Sequence, residues 1–214
     1  MAETPKKNEK QSILCMFSGG LDSVGMLYVL LTEPRYAKFK LHVHHMVLKN
    51  IENRALAEKR ACANIVGFLR DKAFRAFEYT ESLHDYSFMR RYFIYDTSLM
   101  GFMGANIMLN DPSLVMMATG TTRDDLDSDP GTLKRMNLGM DIYHAILPAE
   151  IRYQRPYLRP VTNLTHEQIY RMLPSELRDL AWSCRTPRYD GEDIHECGKC
   201  SACKRMKQIR LANP

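Results

Sequence analysis

A run of six residues near the amino terminus has the composition of a phosphate-binding turn. The run Ser18-Gly19-Gly20-Leu21-Asp22-Ser23 follows an apolar stretch from Ile13 to Phe17. Glycine adopts backbone angles and close approaches that a side chain forbids, so successive amide N–H groups can point into one concavity and bind anionic oxygens. A helix predicted from Leu21 to Leu31 adds the positive end of its dipole. The run therefore predicts a phosphate site between a strand and a helix.

This turn differs from the common nucleotide-binding loop. That loop, Gly-x-x-x-x-Gly-Lys-Ser/Thr, places a lysine on the terminal phosphates and a hydroxyl on magnesium. Residues 18–23 contain no lysine. The predicted chemistry is therefore polyphosphate binding by backbone amides at a site that lacks this lysine.

A cysteine cluster is the second group of residues with chemistry of its own, and it comprises Cys184, Cys197, Cys200 and Cys203. Four thiolates in tetrahedral arrangement form a closed structural zinc site, which is the interpretation we favour. Basic residues that offset the charge of such a site follow closely in sequence: Lys199, Lys204 and Arg205. A four-iron cluster is the alternative, because Cys-x-x-Cys-x-x-Cys with a remote fourth cysteine also binds iron and sulfide. The two remaining cysteines, Cys15 and Cys62, are predicted to be small buried apolar residues.

A third candidate lies after a later apolar stretch, at Gly120 with Arg123, Asp124 and Asp125. An arginine can neutralise phosphate, and carboxylates can hold a metal ion. A solvated acidic loop is an equally good interpretation of the same residues.

Two further groups of polar residues have a functional and a structural interpretation. The histidines His42, His44 and His45 are either a base or adenine contact, or ordinary residues at a strand end, which we favour. The arginines Arg152, Arg155 and Arg159 either face phosphate or acceptor, or form a solvated basic surface.

Short apolar segments alternating with helical ones predict the elements that position these groups. Strands are predicted at residues 13–17, 40–45, 74–79 and 114–119, with helices at 21–31 and 54–69. This alternation is typical of a parallel α/β sheet, whose ligands lie at the carboxyl ends of the strands. We therefore expect the loops after residues 17 and 119 to meet at the same edge of the sheet.

Composition limits the class of protein. The 214 residues suffice for one core, and the net charge of +5 suits anionic substrates without indicating a nucleic-acid binder. Residues 1–11 are predicted to be a flexible tail, 12–180 an α/β domain that carries the phosphate-binding turn, and 181–214 a zinc-binding segment packed on that domain. The sequence shows neither a signal peptide nor a membrane-spanning run, so a cytoplasmic protein is expected.

The glycine turn and the cysteine array together resemble a known family. Ser-Gly-Gly-x-Asp-Ser at 18–23 resembles the PP-loop of the ATP pyrophosphatase superfamily, whose members split ATP between the α and β phosphates and transfer AMP to an acceptor. With Cys-Gly-x-Cys-x-x-Cys at 197–203, and with residues 159–169 and 181–184, the chain looks like the 7-cyano-7-deazaguanine synthase (QueC) family. The resemblance implies a Rossmann-like parallel sheet flanked by helices, of the adenine nucleotide alpha hydrolase-like type, with a four-cysteine zinc segment.

The chain departs from the family pattern where the acceptor is expected to bind. Residues 44–49 replace the family's Tyr-Gly-Gln-Arg-His, residues 121–127 replace its Tyr-Pro-Asp-Cys-Arg, and His166 stands where the family usually has lysine. The chain is therefore identified as a divergent member, in which ATP use is better founded than the acceptor.

The resemblance implies ATP, Mg²⁺ and Zn²⁺ as cofactors, and it assigns ATP binding to the turn and the start of its helix: Phe17, Ser18, Gly19, Gly20, Leu21, Asp22, Ser23, Val24, Gly25, Met26 and Leu27. Within that set, Asp22 is expected to orient the loop or contact magnesium. The residues predicted to be catalytic are Ser18, Asp22 and Ser23 from the motif, and Arg123, Asp124 and Asp125 from residue chemistry. The implied reaction converts 7-carboxy-7-deazaguanine and ammonia to 7-cyano-7-deazaguanine through adenylated intermediates, releasing AMP and pyrophosphate.

Other functions remain open on sequence grounds. One is tRNA thiolation or amidation by a PP-loop relative, although thiolation needs a sulfur-carrying cysteine and only Cys15 and Cys62 are left. Another is modification of a protein partner, and a nucleic-acid-binding zinc ribbon ranks last. The expected partners are small-molecule substrates, with no membrane and no stable nucleic-acid binding. A methionine- and aromatic-rich stretch at 86–109 is assigned to core packing, with a homodimer contact or a base pocket as the alternative.

Overall fold

Five strands pair in parallel to form the central sheet: β1 (Ser12–Met16), β2 (Lys40–Lys49), β3 (Glu78–Asp85), β4 (Leu114–Ala118) and β5 (Tyr157–Leu158). Their spatial order is β3-β2-β1-β4-β5. The order of the strands reverses between β1 and β4, and parallel sheets bind ligands outside the carboxyl ends of their strands at such a reversal. The predicted parallel α/β fold is confirmed.

The computed structural model describes residues 11–91, 96–128 and 130–213, without the side chain of Thr132. The predicted flexible tail at 1–11 therefore lies almost wholly outside the described residues. The described residues also exclude three members of the methionine- and aromatic-rich stretch, Tyr92, Phe93 and Tyr95. Among the described helices, none is both long and apolar enough to cross a membrane.

Helices cover both faces of the sheet: α1 (Leu21–Thr32), α2 (Ala55–Asp71), α3 (Asp96–Asn110), α4 (Arg123–Leu126), α5 (Pro130–Ile146), α6 (Ala149–Arg152), α7 (His166–Met172), α8 (Ser175–Asp179) and α9 (Ser201–Ala212). A short antiparallel hairpin of β6 (Arg188–Asp190) and β7 (Asp193–His195) precedes α9. The loops at the carboxyl ends of β1 and β4 lead into α1 and α4, so both loops can contribute to one site.

Alternation along β1 divides the interior into two cores, because successive strand side chains point to opposite faces. Ile13 and Cys15 belong to the first core, which also contains residues of α1, α2, α7 and α9. Leu14 and Met16 belong to the second core, with residues of α3 and α5. Cys15 and Cys62 are fully buried, as predicted. The apolar run that predicted β1 is thus apolar because both of its faces are covered.

The sequence located β1 and β4 within one residue but misplaced β3. The strand predicted at 74–79 begins at Glu78 and runs to Asp85, in alternating and largely exposed residues. It lies at the edge of the sheet, paired on one side to β2. An edge strand needs no continuous apolar run, so the pattern used for buried strands missed it. The interior strand β2 extends four residues beyond its predicted end, to Lys49, where it remains paired with β3.

The methionine- and aromatic-rich stretch has no single role. Met108 is fully buried in the second core and Met100 packs against it, as predicted for core packing. The prediction is wrong for Phe88 and Phe102, whose side chains are exposed.

Candidate functional site

A cavity of about 410 Å³ opens at the carboxyl ends of β1, β2 and β4, where the strand order reverses. This volume lies in the range of small-molecule sites. Its wall includes the glycine turn, the loop after β4, and residues from α3, α5, α9 and the segment around Trp182. The predicted meeting of the two strand-end loops at one edge is confirmed.

The glycine turn is fixed by hydrogen bonds within itself. Ser23 Oγ donates to the carbonyl of Gly20 at 3.0 Å and accepts from the backbone N–H of Ser18 at 3.3 Å. Gly19 has φ +73°, and a Cβ there would lie 3.0 Å from the sulfur of Cys62. Only glycine fits both that backbone angle and that space without strain. The turn is therefore a rigid concavity and not a flexible loop.

The β2 strand anchors the start of the turn. The amide of Phe17 donates to the carbonyl of His44 at 2.8 Å, and His45 Nδ1 donates to the carbonyl of Phe17 at 2.9 Å. His45 is buried, and burial lowers its pKa despite this hydrogen bond. Neither His42 nor His45 lines the cavity, while His44 does. All three lie within β2 and not at its end, so the histidine cluster is mainly structural.

Gly120 brings the loop after β4 against the turn. A Cβ on this residue would lie 2.6 Å from the carbonyl carbon of Asp22 and 2.7 Å from the amide nitrogen of Ser23. The backbones of the two loops therefore touch. This contact aligns the amide-lined turn with Thr119 and Thr121, which also line the cavity.

His166 lies at the centre of a cluster of carboxylates that the sequence did not predict. The side chain is almost wholly buried, with Nε2 at 3.3 Å from Asp22 Oδ1 and Nδ1 hydrogen-bonded to Asp124 Oδ2. Burial opposes protonation of the imidazole, but interaction with Asp22 and Asp124 outweighs it and raises the pKa of His166. The raised pKa favours the protonated imidazole, which offsets the charge of Asp22 in the glycine turn. One feature of the sequence could have indicated this role: His166 stands where the family that the chain resembles usually has lysine, which is also a cation.

Asp124 and Asp125 have different roles despite being adjacent. Asp124 accepts from the backbone N–H of His166 at 2.7 Å, and burial raises its pKa less than its contacts with His166 lower it. Asp125 accepts from the amide of Thr122 at 2.9 Å as the capping box of α4, and it lines the cavity. Ligand atoms of Asp22, Asp125 and His166 all lie within 4.8 Å of one another. These three residues could hold a divalent cation, which His166 would bind only with its imidazole neutral.

The arginine predicted for catalysis lies outside the cavity, while another lines it. Arg123 is exposed, and its backbone N–H donates to the carbonyl of Leu164. Arg205 of α9 does line the cavity, its charge acts on His166 and Asp124, and its Nε is buried without a hydrogen-bond partner. No carboxylate of the described residues forms an ion pair with Arg205, so its charge is available to a ligand.

The arginines Arg152, Arg155 and Arg159 do not line the cavity. Arg155 donates to the carbonyl of Met108 near the end of α3, and Arg152 donates to the carbonyl of Leu147 after α5. These contacts satisfy carbonyls at helix ends, which is a structural role.

The residues predicted to bind ATP divide into two groups. The cavity is lined by Phe17, Ser18, Gly20, Leu21, Asp22 and Ser23. The remaining residues do not line it: Gly19, Val24, Gly25, Met26 and Leu27. Gly19 shapes the turn, and the others are buried within α1, where a Cβ on Gly25 would lie 2.5 Å from Ile169 of α7.

The four predicted metal-ligating cysteines come together. The sulfur atoms of Cys184, Cys197, Cys200 and Cys203 all lie within 4.8 Å of one another, with Cys197 and Cys203 at 3.8 Å. Bonds of about 2.3 Å to a single tetrahedral zinc place thiolate sulfurs about 3.8 Å apart. The donor set and its spacing therefore fit a single tetrahedral ion.

The cysteine segment also forms part of the cavity wall. The amide of Trp182 donates to the carbonyl of Gly19 at 2.9 Å, which joins this segment directly to the glycine turn. Several residues beside the cysteines line the cavity: Trp182, Ser183, Arg185, Ser201, Ala202 and Arg205. The fold of the cysteine segment thus decides where these side chains lie.

A network of buried charges forms a further part of the wall, and sequence reasoning missed it. Arg54 contacts Glu52, Glu58 and Asp96, and Arg185 binds both carboxylate oxygens of Glu52 at 2.9 and 3.0 Å. Glu52, Arg54 and Glu58 are close in sequence, but Asp96 and Arg185 come from distant parts of the chain, so no local pattern predicts the complete network.

Comparisons with known proteins were made on both sequence and structure. No family model matches the chain, and no curated protein matches it. Among solved structures, the chain is similar to the U34-tRNA thiolase NcsA from Methanococcus maripaludis with its [4Fe-4S] cluster, at a TM-score of 0.51 and 14% identity. The match covers 96% of this chain and 67% of that one. At this identity the likeness shows a shared fold.

We expect Gly120→Ala to separate the two strand-end loops. The added Cβ would overlap backbone and not a movable side chain, so unfolding free energy should fall by about 1–3 kcal/mol and nucleotide binding should weaken. Urea unfolding and calorimetric ATP titration would measure both effects. Gly67→Ala is the control, because a Cβ there meets no atom within 4 Å. An unchanged Gly120→Ala protein would disprove the tight contact.

Proposed function

We propose that this protein is a PP-loop enzyme that binds ATP at the glycine turn, cleaves it between the α and β phosphates and transfers AMP to an acid. The observation that carries the proposal is the position of the Ser-Gly-Gly-x-Asp-Ser turn, which forms one wall of the cavity at the strand-order reversal. Arg205 supports it, because a cation without a carboxylate partner faces the same cavity. The fold shared with a tRNA thiolase is consistent with this class of enzyme.

The residues around the turn have distinct roles in this chemistry. Backbone amides of the turn bind the β and γ phosphates, and Arg205 neutralises charge that develops as pyrophosphate leaves. His166 and Asp124 hold Asp22 in place. Asp22, Asp125 and His166 would hold a divalent cation, which would supply charge neutralisation at the phosphates.

The acceptor we propose is 7-carboxy-7-deazaguanine, from the resemblance of the glycine turn and the cysteine array. A carboxylate oxygen attacks the α phosphorus, the bond to the β-phosphate oxygen breaks, and pyrophosphate leaves. Ammonia then attacks the acyl carbon, loses a proton and expels AMP, leaving the amide. The amide oxygen attacks the α phosphorus of a second ATP and expels pyrophosphate, and loss of AMP and two protons then gives the nitrile. Each turnover thus consumes two ATP.

Thiolation of tRNA is the alternative, and the solved thiolase with the same fold favours it. Two observations in this chain weigh against it. Cys15 and Cys62 are fully buried, so neither is placed to carry sulfur. The other four cysteines can all bind one ion, and an ion with four thiolates has no open position for a substrate. We therefore rank acid adenylation first.

We propose zinc as the ion of the cysteine centre, in a structural role. Sulfur atoms within 4.8 Å of one another suit a single ion. A four-iron cluster binds one thiolate at each iron corner of a cube and needs the thiolates farther apart. Reduced thiolates also require a reducing compartment, which supports a cytoplasmic location.

The first test is product analysis. With ATP, ammonium and 7-carboxy-7-deazaguanine, the enzyme should release AMP and pyrophosphate and form the nitrile, detected by chromatography and mass spectrometry. Asp22→Asn should lose most of this activity, because the amide no longer pairs with His166. Release of ADP and orthophosphate would reject the proposed reaction, and adenylation without nitrile would reject this acceptor.

Arg205→Gln tests the cation of the cavity. We expect kcat/KM for pyrophosphate release to fall about 10²- to 10³-fold, as on removal of one donor to a developing charge. Lys204→Gln makes the same charge change one residue away, at an exposed position, and should leave the rate within about twofold. Equal losses in both variants would show that general electrostatics, and not Arg205, are responsible.

Removal of the metal should inactivate the protein by releasing the cysteine segment. Purified protein is expected to be colourless with about one zinc per chain. A strong chelator should abolish ATP binding, because Trp182 and Arg205 lose their positions, and added zinc should restore it. Iron and acid-labile sulfide in elemental analysis would overturn the zinc assignment.

A further inference from the structure

The buried charge network around Arg54 contains more negative than positive charge. Glu52, Glu58 and Asp96 contribute three carboxylates, against the guanidinium groups of Arg54 and Arg185. When all five groups are ionised, one negative charge remains. A buried carboxylate without full compensation is costly and is usually stabilised by hydrogen-bond donors.

The groups that carry this excess negative charge lie at the cavity. Glu58, Asp96, Arg54 and Arg185 line it, whereas Glu52 does not. The side chain of Glu58 is 8% exposed and pairs with Arg54 through Oε1. Asp96 Oδ1 is buried and has no hydrogen-bond partner among the described residues. Asp96, a residue of the cavity wall, therefore has one carboxylate oxygen that lacks a donor.

The state of Glu58 supports this conclusion. Burial raises its pKa to about 7, although the charge of Arg54 acts in the opposite direction. Burial and the nearby charge of Asp96 thus outweigh the stabilisation of the ionised form by Arg54. A ligand that brought N–H groups to this wall would stabilise the ionised form.

We propose that the Glu58–Asp96 wall is the subsite that recognises the acceptor, and that it selects a planar heterocycle with two adjacent N–H donors. The 2-amino-4-oxopyrimidine ring of a deazaguanine acid has such an edge, with a ring N–H beside an exocyclic amine. Two parallel hydrogen bonds to carboxylate oxygens would bind it, as carboxylates bind other paired donors. This inference rests on the proposed function, since it assigns the acceptor of that same reaction.

The apolar wall of the same cavity fits a flat ring. Met16, Met46 and Met100 line the cavity together with Leu48. Thioether side chains adapt to irregular shapes and make favourable contacts with aromatic rings. The combination of a carboxylate edge and an apolar face is suited to a heterocycle, which needs hydrogen bonds in its plane and packing above it.

The same chemistry distinguishes the acceptor from other bases. Uracil offers one N–H between two carbonyl oxygens, and those oxygens would face carboxylates. Adenine offers one amine beside a ring nitrogen that accepts. Only the guanine-type edge presents two adjacent donors, so the wall favours a deazaguanine acid over the uridine of a tRNA anticodon.

The test compares two acceptors in the full-length protein. One is 7-carboxy-7-deazaguanine, and the other is the same acid without the 2-amino group. Pyrophosphate release gives kcat/KM for each. The wild type should prefer the first by about tenfold to a hundredfold, the discrimination expected of a paired base contact. Glu58→Gln and Asp96→Asn should each reduce this preference to within a few fold, chiefly by slowing the reaction of the first acid.

Glu52→Gln is the matched control. It removes one carboxylate from the same network without changing the cavity wall, so it should retain the wild-type preference even where the overall rate falls. Thermal unfolding of each variant would report any common loss of stability.

The outcomes separate this inference from the proposed function. Release of AMP and pyrophosphate with equal efficiency from both acids would overturn the subsite while leaving adenylation intact. The subsite would also be overturned if Glu52→Gln lost as much of the preference between the two acids as Glu58→Gln does. No pyrophosphate from either acid, with release in the presence of unmodified tRNA, would overturn both.

Discussion

The glycine turn after β1 has no cationic side chain, and the remainder of the site is arranged around that deficit. Backbone amides bind phosphate oxygens but carry no net charge to balance a triphosphate. The required positive charge therefore comes from elsewhere in the chain. Arg205 reaches the cavity from α9, and His166 compensates the carboxylate of Asp22 from the start of α7.

The four-cysteine segment positions part of the cavity wall, including two of its arginines. The hydrogen bond from Trp182 to Gly19 joins the cysteine segment to the turn, and Arg185 and Arg205 lie one and two residues from Cys184 and Cys203. A short segment with a small hairpin has little core of its own to fix such positions. A bound ion could fix them, so in the proposed enzyme the cysteine centre would contribute to catalysis indirectly, by placing charges.

Charge is distributed unevenly along the cavity, and this gives its parts different ligands. No carboxylate in the described part of the chain forms an ion pair with Arg205, whereas Arg54 contacts three carboxylates. The proposed ligands follow this distribution, with phosphate placed beside Arg205 and a hydrogen-bond-donating ring placed beside Glu58 and Asp96. An acid activated by ATP and held by a donor-rich ring satisfies both.

The sequence by itself determined the features that depend on neighbouring residues. The glycine turn, the buried strands β1 and β4 and the cysteine spacing were all predicted, because a tight turn, a doubly covered strand and a metal knuckle are short-range constraints. The edge strand β3 was misplaced, since an exposed edge imposes no continuous apolar pattern. Only the tertiary structure decided that His166 meets Asp22, that Arg205 and not Arg123 faces the cavity, and that Arg54 joins Asp96. Those pairings depend on how separate segments pack, and electrostatic contacts across a fold leave no periodic trace in the chain.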